Sequence, residues 1–404
     1  MSSKQMGAIA LVAGTCIGSG MIALPLVLAK FGMVPSIVLM LITWFFMYYT
    51  SLVNLELNLQ AEEGLSLGLL GKRFSGPFAG LLGTCSLKLL SFSLMAVFIS
   101  GGSSIANEFL ASKIEISIEK LIFCYSLVVA LLLLLPIKVI DYFNRILFVT
   151  LIGIIVFLLI ALMTSIEWKG LPLFAQISSL NLNDWAYAIP VVFTSFGFQV
   201  IFHTMTNYCQ KSPKVLKKAF FWGSLIPALV YIAWTCSILS VVYKEDPQFY
   251  ATMSKGEAQV GELIATLGRV AKWEGMQSLI WVIASLAIAT SVLGVGVGLC
   301  DSIQSILSNI IPGSFTRKCA ASFITVFPPY VAVSLIPNAF IAVLGFAGMI
   351  LAFIAILLPI YLFVQLRPKQ LHYQALKNDF LIALSVTAGI IVIACELQNL
   401  ITHS

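Results

Sequence analysis

Charge is scarce in this 404-residue chain: Asp, Glu, Lys and Arg make up 10% of it, against about 25% in a soluble domain. A chain that is also 60% hydrophobic, with a mean hydropathy of +1.01, reads as a polytopic membrane protein. Histidine is rarer still, limited to His203, His372 and His403. No H-E-x-x-H run, C-x-x-C pair or Cys/His cluster occurs, so the usual zinc signatures are missing and no metal or cofactor is expected. Most cysteines (Cys16, Cys85, Cys124, Cys236, Cys300, Cys395) lie in apolar segments, which implies no external disulfide framework. The net charge of +6 is mild and gives no reason to expect nucleic acid. No small-residue cleavage site closes the first apolar run, which is longer than the roughly 7–15 residues of a signal peptide core. It reads as a retained span. Low-complexity runs and linkers are also missing, so 1–404 reads as one domain.

What is present is a series of long apolar runs. At about 20 apolar residues per crossing, the chain divides into about 11 transmembrane helices. They run over Met6–Ala29, Val34–Leu57, Pro77–Asn107, Leu121–Ile140, Ile146–Ile166, Trp185–Tyr208, Ala219–Tyr243, Trp273–Leu307, Ala320–Ile336, Phe340–Leu366 and Phe380–Leu400. With the N-terminus in the cytoplasm, Lys4, Lys72, Arg73, Lys138, Arg145, Lys211, Lys214, Lys217, Lys218, Arg317, Lys318, Arg367, Lys369 and Lys377 fall inside. Fewer basic residues (Lys30, Lys113, Lys120, Lys169, Lys244, Lys255, Arg269, Lys272) fall outside, as the positive-inside rule requires. An odd number of spans then leaves the C-terminus outside. The long connection Lys244–Lys272 mixes charges with Phe249, Tyr250, Val260, Leu263, Ile264 and Leu267. It reads as a short amphipathic surface helix, with a solvated loop resting on the protein as the plainer alternative and a gating role as a further one.

The first span is interrupted. Gly14, Thr15, Cys16, Ile17, Gly18, Ser19 and Gly20 sit in its middle, with Pro25 beyond. Glycine costs a helix about 1 kcal/mol relative to alanine and proline about 3 kcal/mol. Freed backbone survives at membrane depth only where protein buries it or a wet cavity solvates it. The sixth span has a matching break: Phe193, Thr194, Ser195, Phe196, Gly197, Phe198 and Gln199, with Pro190 before it. Two interrupted helices at corresponding positions of successive halves are the mark of an inverted-repeat transporter. The halves run over about 6–166 and 185–366, with an extra helix at 380–400.

Such breaks suit a zwitterion. Half-helix N-termini offer free N–H groups and a positive dipole end to a carboxylate. Unwound carbonyls and half-helix C-termini accept an ammonium. Both breaks are therefore assigned to substrate binding, with Phe196 and Phe198 as candidate pocket walls. In the eighth span, Thr290 and Ser291 can join the carbonyls of Gly14, Ile17 and Ala287 in a cage of hard oxygen ligands for Na⁺. The competing reading has each hydroxyl bonded back to its own helix. Gly294, Gly296 and Gly298 read as close helix packing.

The motifs VAGTCIGSGMIALPL near the start, FISGGS (98–103), FNRILF (143–148), IPVVFTSFGF (189–198), GSLIPALVYIAW (223–234), LAIATSVLGVGVGLCD (286–301) and FPPYVAVSLIPNAFIAVLGFAGMILA (327–352) occur in that order. In them the chain resembles the bacterial hydroxy/aromatic amino acid permeases, which include tyrosine- and tryptophan-specific permeases. The resemblance implies an all-α LeuT-type fold with an inverted repeat of five plus five helices. It also implies cation-driven import of an aromatic amino acid across the inner membrane, usually with protons. Two positions depart from the family pattern: Gln199 stands where a histidine is expected, and Lys88 where an apolar residue is expected. Lys88 and His203 are the titratable candidates for proton coupling. Snorkelling is the alternative for Lys88, and a structural role is the alternative for His203. Glu56, Asp301 and Glu396, near predicted helix ends, read as interface anchors.

Other function classes fit less well. A channel needs a continuous polar or charged lining, whereas the interrupted helices argue for an occluded site. An enzyme needs a nucleophile–base pair or a metal motif, and none is found. The sequence leaves the oligomeric state open.

Overall fold

A computed structural model describes residues 3–18, 20–111, 116–165, 171–174, 180–270, 274–308, 310–336, 339–366, 368 and 370–403. The regular structure in these residues is helical. Among the described residues, seven helices are long and apolar enough to cross a bilayer, and one bent helix pair makes an eighth candidate. The chain is a multi-pass membrane protein. Large apolar side chains such as Phe78, Leu131, Val149, Phe323 and Ile401 stand exposed on its surface, where lipid is the solvent.

The first span is the bent pair. Helix α1 (Ser3–Cys16) stops at the glycine-rich break, and α2 (Gly20–Leu28) resumes at an angle of 50°. The second span is α3 (Met33–Gln60). A short helix not expected from the apolar pattern, α4 (Leu67–Ser75), follows it. It packs along α5 (Pro77–Ala111). Gly71 of α4 lets the helices approach so closely that a Cβ there would stand 2.6 Å from the Ala79 carbonyl oxygen.

The stretches expected as the fourth and fifth spans divide earlier than their apolar pattern suggests. Helix α6 (Ile118–Leu133) ends before Pro136, and α7 (Ile137–Ser165) begins directly after it. Proline lacks an N–H and clashes with a preceding turn, so the boundary falls there rather than after Ile140. The stretch expected as the sixth span is interrupted: α8 (Leu182–Ser195), a 3₁₀ turn at Gln199–Ile201, then α9 (Phe202–Tyr208).

The seventh span is α10 (Pro213–Glu245). The connection after it forms two helices, not one. Helix α11 (Pro247–Lys255) ends at Gly256, whose φ of 76° is left-handed, and α12 (Val260–Val270) follows. Val260, Leu263, Ile264 and Leu267 are buried, because α12 lies against α5 and α13 (Glu274–Leu307). The ninth span is α14 (Ser314–Leu335). In the tenth, α15 (Ala339–Ala352) passes through a π-helical turn, Phe353–Leu357, into α16 (Leu358–Leu366). The Asn54 amide of α3 donates to the Ala355 carbonyl inside that turn, at 3.4 Å. The last helix is α17 (Asp379–His403).

Packing sorts the helices around the breaks. α1 lies along α10, α2 lies on α8 and α10, and α3 packs against α10. α5 is held by α13, α14 and α15, while α15 also packs on α8 and α17 covers both α8 and α15.

Candidate functional site

The first break is tight rather than open. The Ile17 N–H still donates to the Ala13 carbonyl at 3.1 Å, and the Met21 N–H donates to the Gly18 carbonyl at 3.1 Å. Cys16, Ile17, Gly18 and Gly20 are buried, whereas Gly14 and Thr15 are half-buried. The Thr15 hydroxyl donates to its own helix, at the Leu11 carbonyl, 2.8 Å. Ser19 lies outside the described residues. Where a helix stops, its last four carbonyls and first four N–H groups lose their intrahelical partners. The end of α1 and the start of α2 therefore bring both kinds of group to one place.

The second break ends α8. The Phe196 and Gly197 N–H groups donate to the Phe193 and Thr194 carbonyls, at 3.2 and 2.9 Å. The Phe198 N–H donates to the side-chain oxygen of Gln199 at 2.8 Å. Gln199 thus satisfies the unwound backbone itself. Phe193, Phe196 and Phe198 are buried in protein. Phe198 packs on Phe202 and Phe220, with ring centroids 6.0 and 5.6 Å away, and Phe196 meets Tyr231 edge-on at 5.4 Å. Thr194 donates to the Pro190 and Leu344 carbonyls at 2.8 and 2.9 Å, and Ser195 donates to the Val191 carbonyl at 2.9 Å.

The two breaks meet. The buried Tyr231 hydroxyl of α10 stands 2.6 Å from the Cys16 carbonyl oxygen and 3.1 Å from that of Ser195. It is positioned to donate to the terminal carbonyl of either half-helix. A Cβ on Gly18 would stand 2.9 Å from the Ser291 hydroxyl oxygen, so α13 closes on the same point. Two interrupted helices, the Tyr231 hydroxyl and the Ser291 hydroxyl converge here.

The model of the tryptophan/tyrosine permease family matches residues 1–396 of this chain. The chain belongs to that family. The permease is 27% identical to tyrosine-specific transport system 1 of Haemophilus influenzae over 395 residues, 96% of either chain. It is 28% identical to the tryptophan-specific transport protein of Pseudomonas aeruginosa over 359 residues, covering 88% of this chain and 84% of that one. It is also 26% identical to glutamine transporter 2 of Aliivibrio fischeri over 407 residues, covering 98% and 100%. The permease is a transporter and not an enzyme.

The ion-coupling candidates divide into two groups. Thr290 donates to the Leu286 and Ala287 carbonyls at 2.9 and 3.2 Å, and Ser291 donates to the Ala287 carbonyl at 2.7 Å. Both hydroxyls bond back to their own helix, which uses the proton of each and leaves its oxygen lone pairs to accept. Ser291 lies beside the first break. Lys88 does not. Gly101 of α5 meets Ile288, and Met95 meets Gly296. Ser291 is therefore level with the stretch between Met95 and Gly101, whereas Lys88 sits about 16 Å further along α5 at 1.5 Å per residue. Lys88 is half-buried, and no ion pair joins it to another described residue. The backbone of His203 belongs to α9, and its side chain lies outside the described residues.

Several buried polar groups in the permease have roles that the apolar pattern does not reveal. Pro190 lacks the N–H that would claim the Ala186 carbonyl, and the Asn399 amide of α17 donates to it at 2.9 Å. The same amide donates to Glu396 at 3.2 Å. Glu396 is 3% exposed and does not sit at the surface as an anchor. It lies against Gly345, whose Cβ would stand 2.6 Å from a carboxylate oxygen. Glu56 is fully buried too, and receives the His372 and Tyr373 N–H groups, the Gln60 amide and the His372 ring at 2.7–3.2 Å. Asp301 is exposed.

Both ends of the bundle are tied. At the end where α2 stops, Lys30 pairs with Asp184 of α8. The Tyr250 hydroxyl of α11 donates to the Ala29 carbonyl at 2.7 Å. Burial, and Tyr243 beside it, push the Tyr250 phenol above its usual range, so it keeps that proton. At the end where α1 starts, the connection after α16 crosses α3 through Glu56 and reaches α10, where the Tyr373 hydroxyl donates to the Pro213 carbonyl at 3.2 Å. Burial, and then the Glu56 charge, push the Tyr373 phenol up.

Proposed function

We propose that the permease imports an aromatic amino acid by proton symport with alternating access, tyrosine first and tryptophan or phenylalanine next. The meeting of the two helix breaks at Tyr231 carries this reading. The substrate carboxylate faces the N-terminal end of α2, where N–H groups and the helix dipole favour an anion. The ammonium faces the terminal carbonyls of α1 and α8. The neighbours that crowd Gly18, Gly20 and Gly197 are Ser291, Ser195, Thr194 and Leu351, none of them charged. That suits a neutral side chain. The tyrosine- and tryptophan-specific relatives support an aromatic one.

The finer fold belongs to the same reading. Interrupted first and sixth spans support a LeuT-type inverted repeat in the bacterial inner membrane, with the N-terminus cytoplasmic and the C-terminus outside. Access alternates as α1, α2, α3, α8, α9 and α10 rock against the other helices.

Sodium is the second reading for the coupling ion, because the Ser291 oxygen lies against Gly18 of the break. Uptake into proteoliposomes, with proton and sodium gradients imposed separately, separates the two. Accumulation driven by a pH gradient alone supports proton symport; sodium-driven accumulation without one overturns it. If protons pass through Lys88, Lys88→Met abolishes concentrative uptake, and Thr290→Val does less harm. Labelled tyrosine should be displaced by tryptophan and phenylalanine but not by lysine or glutamate. Stronger displacement by glutamine than by tyrosine would transfer the glutamine relative's substrate to this chain and overturn the aromatic assignment.

A further inference from the structure

Where α1 and α10 begin, beside the middle of α3, a pocket of about 520 Å³ opens to the surface, lined by Gln5, Tyr48, Lys214, Lys217, Lys218 and Phe221 among others. None of its lining residues is acidic. Lys214, Lys217 and Lys218 are spaced i, i+3 and i+4 on α10, which puts them on one face with Cβ atoms about 5–6 Å apart. All three are exposed, and none makes an ion pair among the described residues. The face continues through Phe221 to Trp222 and Leu229, both exposed, while Leu41 and Phe45 stand exposed on α3 alongside. Tyr48 and Phe221 meet edge-on at 5.3 Å, and the Trp44 indole N–H donates to the Ser224 hydroxyl at 3.1 Å, so the floor is built of packed aromatic rings. Charge therefore gives way to exposed apolar surface within two turns of one helix.

We propose that this pocket binds the phosphate headgroup of an anionic phospholipid, with the acyl chains laid along the apolar strip between α3 and α10. Three exposed ammonium groups around an opening with no acidic lining residue favour an anion, and the adjoining apolar strip favours hydrocarbon. A phospholipid supplies both at the spacing the helix sets. A soluble phosphate leaves the strip uncovered. In the topology proposed above, the pocket lies in the cytoplasmic leaflet, whose anionic lipids attract basic clusters. α10 carries Tyr231, so a lipid held here grips the helix that joins the two breaks.

The test is lipid retention by the purified, detergent-solubilised permease, read by native mass spectrometry and by thermal unfolding. Phosphatidylglycerol should bind and raise the unfolding midpoint, while phosphatidylcholine with the same chains should do neither. Three such lysines are together worth on the order of 100-fold in affinity, so K214Q/K217Q/K218Q should lose phosphatidylglycerol by about that factor. K72Q/R73Q, which removes basic charge elsewhere, should keep it. Should the triple variant fail to fold, the double K217Q/K218Q and a salt titration of the unaltered protein carry the test, since headgroup binding must weaken with ionic strength. Undiminished retention in the lysine variants, equal loss in K72Q/R73Q, salt-independent binding, or equal stabilisation by soluble glycerol phosphate would each overturn the proposal.

Discussion

Gly20 rests on Ser195: a Cβ built on Gly20 would stand 2.5 Å from the Ser195 Cβ and 3.0 Å from its Cα. The first residue of α2 and the last of α8 are therefore in van der Waals contact, with no room for a methyl group. Gly20→Ala should push the half-helices apart, an overpacking cost of about 1–3 kcal/mol. Uptake should be lost while membrane insertion persists. Ser195→Gly in the same chain should restore part of it, because it removes the clashing Cβ. Uptake per molecule at the surface checks both arms.

Tyr231→Phe removes one oxygen and leaves the Cys16 and Ser195 carbonyls without their shared donor. An unmet buried polar group costs about 1–3 kcal/mol. The unfolding midpoint should fall, and tyrosine affinity with it, measured by a binding assay on purified protein. Unchanged affinity would separate Tyr231 from the substrate site.

Glu396 sits among helices α8, α15 and α17, with the Asn399 amide as a neutral partner. Burying a carboxylate costs more than burying an amide of the same shape. Glu396→Gln should therefore leave the unfolding midpoint equal or higher. Asn399→Leu should lower it, since it exposes the proline-freed Ala186 carbonyl as well as Glu396. Thermal melts of the two variants decide this, and uptake by Glu396→Gln shows whether the carboxyl itself serves transport.

Glu56→Ala should release the connection that crosses α3, because the His372 and Tyr373 N–H groups lose their acceptor and the Gln60 amide keeps only the Gln370 carbonyl. Hydrogen bonds to a charged group are worth about 1.5–3 kcal/mol, so the loss should be large, and smaller for Glu56→Gln. Limited proteolysis should cut faster near 370–377 in the alanine variant.

Gly18→Leu and Gly197→Leu should abolish binding with expression largely kept. Wild-type binding in either variant would remove that glycine from the site. Gly197 is the less forgiving position, because a Cβ there would meet the Thr194 carbonyl oxygen as well as the Leu351 side chain at 3.0 Å, whereas at Gly18 it would meet only the Ser291 side chain.

The sequence by itself determined the membrane class, the position of most spans and both helix breaks. These depend on local physics: apolar run length, and the helix cost of Gly14, Gly18, Gly20, Pro190 and Gly197. The ordered motifs placed the chain among the permeases. Other features were decided by tertiary structure. Helix α4 is too short to cross a bilayer, so a search for apolar runs passes over it, and α12 is buried only because α5 and α13 stand beside it. Tyr231 lies in an apolar motif, and its role appears only when Cys16 and Ser195, distant in sequence, converge on its hydroxyl. Glu396 reads as an anchor until α8, α15 and α17 close around it. The distance of Lys88 from the first break, about 16 Å along α5 from the level of Ser291, is set by the α5–α13 register. Run length and helix-breaking residues are properties of neighbours in the chain. Burial and hydrogen-bond partners belong to the packed bundle, where residues hundreds of positions apart share one point.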